Sequence, residues 1–138
     1  MPKELKAVLF GVGGYAANYP EAFRRARREN VVLAGAVDPY VLPCDACPLY
    51  EDPETMLREI RPDIAVISTP IQLHARQAEL AFEHGCHVVL EKPIAATVES
   101  ARAILAARDR AKAGRTAPAH GLCLARVDYD PPIDWQCQ

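Results

Sequence analysis

Leu5-Lys6-Ala7-Val8-Leu9-Phe10-Gly11-Val12-Gly13-Gly14-Tyr15-Ala16 is the stretch that decides the fold. Leu5 to Phe10 is a short apolar run, which reads as a buried strand closed by Gly11. From Gly14 to about Glu29 the spacing turns helical, with Ala16, Tyr19, Phe23 and Ala26 near one face. Pro20 interrupts that pattern: inside a helix it removes a hydrogen bond, so the helix should begin late or bend there. Between strand and helix, Gly11 to Ala16 fits G-x-G-x-x-A. In that pattern Gly11 permits the tight turn and Gly13 lets the backbone approach a pyrophosphate. Ala16 is small enough for the helix to pack on the strand. Gly14 and Tyr15 lie where a helix N-terminus would offer its N–H groups to phosphates. Taken alone, the same letters also describe an ordinary strand-to-helix turn.

The rest of the chain repeats the alternation. Val31 to Val37, Ile64 to Ser68 and His87 to Glu91 read as further apolar strands. Asp52-Pro53 opens a short helix to about Ile60 as N-cap and first residue. A helix from about Gln72 to His84 ends at Gly85. Thr97 caps another to about Ala113, stopped by Gly114, with Val98, Ala101, Ile104 and Leu105 on one stripe. Apolar strands separated by helices make an α/β protein: a Rossmann-type, doubly wound, mainly parallel sheet covered on both faces. Residues 1–114 form that domain. Residues 115–138 are a divergent tail, with a fifth strand expected near Gly121 to Ala125.

Asp38 ends the second strand, 22 residues after Ala16. A carboxylate there accepts hydrogen bonds from the ribose hydroxyls of NAD, and Asp38-Pro39 also reads as a simple turn. The 138 residues are half hydrophobic and a quarter charged, with net charge -2, the profile of one ordinary globular domain. Nothing in this balance marks a nucleic-acid or anionic-membrane surface. Arg24, Arg25, Arg27 and Arg28 sit where cations suit a helix C-terminus. No apolar stretch reaches membrane-spanning length. Five cysteines, an odd number, in a chain of this size fit a reducing cytoplasm.

Two more stretches join the glycine loop: Ser68-Thr69-Pro70-Ile71-Gln72-Leu73-His74 at the third strand's end, and Glu91-Lys92-Pro93 at the fourth's. The three together closely resemble the N-terminal domain of the Gfo/Idh/MocA oxidoreductases, over about residues 4 to 114. That family is marked by a glycine loop, a T-P-x-x-x-H segment and the E-K-P tripeptide. The resemblance implies NAD as cofactor, with NADP the alternative, and a sugar, inositol or related polyol as substrate. It implies that Lys92 lies by the nicotinamide as the catalytic residue, positioned by Glu91 and Pro93 across a cis bond. Ser68, Thr69, Pro70 and His74 line the cofactor crevice. Judged without that segment, a histidine in a helix's first turn is an ordinary surface residue.

Family members continue into a second α+β domain that supplies most substrate contacts, a proton-transferring aspartate–histidine pair and often an oligomer interface. Residues 115–138 do not follow that continuation, which suggests a truncated gene or a shifted reading frame. The expectation is therefore a domain that binds the dinucleotide but is incomplete as a catalyst. An uncovered docking face would favour homo-oligomers. The alternatives are a non-catalytic nucleotide-binding module, as a sensor or one subunit of a split enzyme, and a CoA-binding domain. Lys92 between Glu91 and Pro93 argues against the last.

Cys44-Asp45-Ala46-Cys47 is a C-x-x-C flanked by Pro43 and Pro48. Zinc needs two further ligands, and only scattered cysteines and histidines remain. A redox motif usually opens a helix after a strand, whereas the prolines place this one in a loop. No metal is expected, and the resemblance gives the pair no role.

Overall fold

The computed structural model describes residues 3–26, 30–40 and 44–107. Five strands, β1 (Leu5–Phe10), β2 (Val31–Val37), β3 (Leu49–Tyr50), β4 (Ile64–Ile67) and β5 (His87–Leu90), form one parallel sheet in the order β3-β2-β1-β4-β5. Among the described residues α1 (Tyr19–Ala26), α2 (Pro53–Ile60) and α3 (His74–Glu83) connect strands, and α4 (Val98–Ala107) follows β5. The doubly wound sheet expected from the alternation is present.

β1 is central, and Ala7 to Phe10 have no solvent exposure. Successive strand side chains point to opposite faces, so β1 feeds two cores. Val8 and Phe10 pack with Val37, Met56, Leu57 and Ile67 under α2 and α3. Leu9 packs with Val12, Ala36 and Val66 on the other face, against Tyr19 and Phe23 of α1.

Local chemistry explains most boundaries. Asp52 caps α2 by accepting from the Thr55 N–H at 2.7 Å, with Pro53 next in line. Gly85, at φ 76°, ends α3 in the left-handed region, where glycine carries no Cβ penalty. The Thr97 hydroxyl accepts from the Ser100 N–H at 3.1 Å and caps α4.

One local reading is met in detail and two change. A 3-10 turn over Gly14–Asn18 precedes α1, so the α-helix starts at Tyr19 rather than Gly14. Pro20 is the reason: its ring would clash with the Ala16 carbonyl of an α-helix, but is tolerated in a first turn. β3 was not anticipated, because two residues carry no periodicity. It pairs through Ala36 and Val37, beside an Ala36 N–H that donates to the Pro48 carbonyl at 2.9 Å. The stripe assigned to α4 is not a buried face: Ile104 is buried, whereas Val98 and Leu105 are 62% and 48% exposed. With Val89 and Ile94 they leave apolar surface uncovered around β5. The strand expected near Gly121, the rest of the tail, and Arg27 and Arg28 lie outside the described residues. No described helix is long and apolar enough to cross a membrane.

Candidate functional site

The strand order turns back between β1 and β4, and ligands of open α/β sheets bind beyond the carboxyl ends of strands at such a point. The loops leaving β1 and β4 abut there. Gly11 has φ 85°, and a Cβ on it would lie 2.8 Å from the Ser68 carbonyl oxygen. Its N–H donates to the Val37 carbonyl at 2.9 Å, while the Ser68 N–H donates to Phe10. Only glycine satisfies both the dihedral and the close approach. Gly13 is exposed with extended backbone, φ -90° and ψ 168°. Gly14 returns to positive φ, 56°. Ala16 is fully buried, and its N–H donates to the Gly13 carbonyl at 3.1 Å. The glycines therefore present backbone without side chains at the crevice, while Ala16 lies beneath.

Asp38 follows β2 and joins this loop. Its Oδ2 accepts from the Val12 N–H at 3.0 Å and its Oδ1 from the Tyr40 N–H at 3.0 Å. Both the ribose reading and the turn reading fit this geometry, because each carboxylate oxygen keeps a further acceptor lone pair. A cavity of about 420 Å³ opens between these segments, walled by Gly11, Gly13, Asp38, Ser68, Thr69 and Pro70. Tyr40, Glu51, Leu73 and Gln77 are also in its wall. Sequence reasoning missed these four. A signal existed for Gln77, which lies three residues after His74 and so near it on α3, and whose side chain accepts from the Thr69 hydroxyl.

His74 is not the surface residue that its place in a helix's first turn suggests. It is 1% exposed, neither a surface residue nor part of the cavity wall. Its Nε2 faces the Thr69 carbonyl at 2.9 Å, and its Nδ1 faces the Pro93 and Ile94 carbonyls at 3.1 and 3.3 Å. One ring thus ties the loop after β4 to the loop after β5. A buried histidine flanked by carbonyls acts as a brace, and one of its partners, Thr69, lies in the cavity wall.

The E-K-P segment leaves β5, where the Glu91 N–H donates to the Ile67 carbonyl at 3.0 Å. Glu91 turns back toward α1: its Oε1 accepts from the Tyr19 hydroxyl and its Oε2 from the Lys92 N–H at 3.3 Å. Burial, then the hydrogen bond and charge of Glu91, push the Tyr19 phenol well above its usual range, so it stays protonated and donates. Tyr15, 71% exposed, meets Tyr19 edge-on at 6.4 Å, beside the glycine loop. Lys92 is exposed, and the Lys92–Pro93 bond is cis. The structure thus brings together the glycine loop, Asp38 and the Ser68-Thr69-Pro70 segment. Glu91 and His74 stand behind as supports.

These residues fit a dinucleotide by their geometry: a side-chain-free glycine cradle, a carboxylate at the end of β2, and a cavity joining them. Among the described residues no cluster of three or more His, Cys, Asp or Glu side chains could hold a metal.

Comparison with known proteins bears on the family and the fold. Over 114 residues the chain is 31% identical to D-apiose dehydrogenase of Paraburkholderia graminis, covering 79% of this chain and 30% of that one. Its backbone superimposes on the WlbA dehydrogenase of Chromobacterium violaceum, solved with NADH and UDP-GlcNAcA, at a TM-score of 0.71. There the identity is 25%, over 82% of this chain and 34% of that one. A match of another kind is 71% identical over 31 residues to tRNA pseudouridine synthase A of Moorella thermoacetica. It covers 22% of this chain and 13% of that enzyme, too little to bring its activity across. The chain spans 15% to 30% of the length of the curated dehydrogenases that it matches. The model of an oxidoreductase family with an NAD-binding Rossmann fold runs from residue 5 to residue 116. The chain therefore belongs to the Gfo/Idh/MocA oxidoreductase family and is built on that NAD-binding fold.

Proposed function

We propose that this chain is the cofactor-binding part of an NAD-dependent oxidoreductase that moves a hydride between a sugar, inositol or related polyol and the nicotinamide. The observation that carries the reading is the meeting of Gly11, Gly13, Asp38 and Thr69 in the wall of one cavity at the sheet's switch point. The glycine loop holds the pyrophosphate with backbone N–H groups, and Asp38 accepts from the adenosine ribose. Bound NAD supplies the hydride acceptor. Lys92, at the end of β5, donates to the substrate oxygen, and its charge favours the alkoxide form of the hydroxyl that is oxidised. Glu91, held by Tyr19, and Pro93, held by His74, set where Lys92 stands.

Titration of the 138-residue chain with both oxidised cofactors tests this reading. NAD should bind about tenfold or more tightly than NADP, because the Asp38 carboxylate repels a 2′-phosphate. Asp38→Ala should narrow that gap. Tighter binding of NADP to the parent chain would refute the assignment.

Binding does not imply turnover. Hydride transfer needs the substrate carbon held against the nicotinamide and a base placed for the hydroxyl proton. Lys92 provides one contact, and the uncovered apolar side chains around β5 mark where a further wall would stand. This stretch alone should bind cofactor and reduce none of it across a panel of sugars and polyols, followed by nicotinamide absorbance. Turnover abolished by Lys92→Ala would show instead that the 138 residues build a complete site.

A further inference from the structure

The loop between β2 and β3 carries a feature that the dinucleotide reading leaves unused. Cys44 and Cys47 are both free and half-buried, and their Sγ atoms lie 3.8 Å apart. Asp45 and Ala46 between them form a turn. Residues at the two ends of a turn have Cα atoms within about 7 Å, close to the range a disulfide spans. Bonding requires the sulfurs to approach by a further ~2 Å, to about 2.05 Å, a shift that side-chain rotation in a turn can absorb.

We propose that Cys44 and Cys47 form a reversible disulfide that stiffens the wall of the dinucleotide cavity. The second clause rests on the function proposed above; the first does not. Asp38 and Tyr40 precede the pair, Glu51 and Pro53 follow it, and all four line the cavity. One end of the turn is already anchored. Cys47 packs on the core cluster of Leu9, Val12, Ala36 and Val66, and the neighbouring Pro48 carbonyl accepts from Ala36. Closing the bond therefore draws Cys44 toward a fixed point, Cys47, in the stretch that leads on to Glu51 and Pro53 of the cavity wall. Constraining a binding loop in a conformation it already adopts lowers the ordering cost of binding.

The chemistry is thiol–disulfide exchange with a low-molecular-weight disulfide. Cys47 packs on the core cluster, and burial, reinforced by Cys44, pushes its thiol up to about 12, so exchange begins at the other end of the turn, at Cys44. The Cys44 thiolate displaces one thiol from the small disulfide and forms a mixed disulfide. Cys47, as its proton leaves, attacks the Cys44 sulfur and releases the second thiol. Two protein thiols are oxidised, one small disulfide is reduced to two thiols, and the balance closes. A groove of about 370 Å³ lined by Phe23, Leu33 and Ala46 opens beside the turn. Cys86 is an internal control: it is buried, its thiol is pushed up to about 11 by burial, and it donates to the Pro62 carbonyl.

The test incubates the full chain with oxidised and reduced glutathione, alkylates free thiols, and digests with trypsin. The peptide between Arg28 and Arg58 contains Cys44 and Cys47 and no other cysteine. It should lose two hydrogens in the oxidised sample, escape alkylation and recover with dithiothreitol, while Cys86 stays alkylatable after unfolding. A stable glutathione adduct on Cys44, or no change, overturns the disulfide. NAD titration of both samples then reads the coupling. The oxidised chain should bind roughly threefold more tightly or better, and the Cys44→Ser, Cys47→Ser double variant should keep the reduced affinity under both conditions. Equal affinities overturn the coupling. Absence of NAD binding in both samples overturns the dinucleotide reading and the coupling with it, and the peptide mass still decides the disulfide.

Discussion

A Gly13→Val chain should fold as the parent does and bind NAD at least on the order of 100-fold more weakly, about 2.8 kcal/mol. The two halves of this expectation have separate causes. Gly13 has φ -90° and ψ 168° and is exposed, so valine finds an ordinary β-region backbone and no core to disturb. Its methyl groups would fill the space through which the pyrophosphate reaches the loop. Gly11→Val should behave in the opposite way. At φ 85°, with the Ser68 carbonyl 2.8 Å from the new Cβ, the fold itself is strained, and stability falls before binding can be read. Calorimetric titration alongside thermal melts of both variants separates the cases. A folded Gly13→Val chain with unchanged affinity would show that the phosphates sit elsewhere.

His74→Ala should lower stability by about 2–4 kcal/mol, combining a cavity with the loss of the hydrogen bonds that tie the two loops together. For a domain of this size that corresponds to a fall in Tm of more than about 10 °C. The size follows from the position: 1% exposure, and a ring between Thr69 on one side and Pro93 with Ile94 on the other. A neutral imidazole donates through one nitrogen at a time, so Asn or Gln can restore part of the brace and should recover part of the loss. NAD affinity should fall as well, because Thr69 lines the cavity. A His74→Ala chain that melts like the parent but binds NAD poorly would make His74 a direct ligand and overturn the bracing role.

The placement of His74 illustrates what the chain's letters could and could not reveal. Its type and its distance from Thr69 and Pro70 were enough for the family resemblance, and that resemblance implied a residue lining the crevice. That it turns inward depends on the Pro93 carbonyl, 19 residues away, arriving on its other side. Glu91 is a similar case. As part of E-K-P it was expected to position Lys92, and it does lie beside it. Its partner is Tyr19, 72 residues earlier, a pairing made where the start of α1 meets the segment leaving β5.

What the sequence determined by itself is whatever rests on local spacing: apolar runs for the strands, Asp52-Pro53 and Thr97 for helix starts, Gly85 for a helix end, and Gly11 for a turn at positive φ. Pro20 even foretold a late helix, because its missing N–H and fixed ring act within one turn. The tertiary structure alone decided the two-residue β3, the inward turn of His74, the Tyr19–Glu91 link, and the union of Tyr40, Glu51 and Gln77 with the glycine loop in one cavity. The physical reason is common to all of them. Periodicity and capping act over a few residues, whereas a side chain's partners in a doubly wound sheet are chosen by strand order, which brings together loops tens of residues apart.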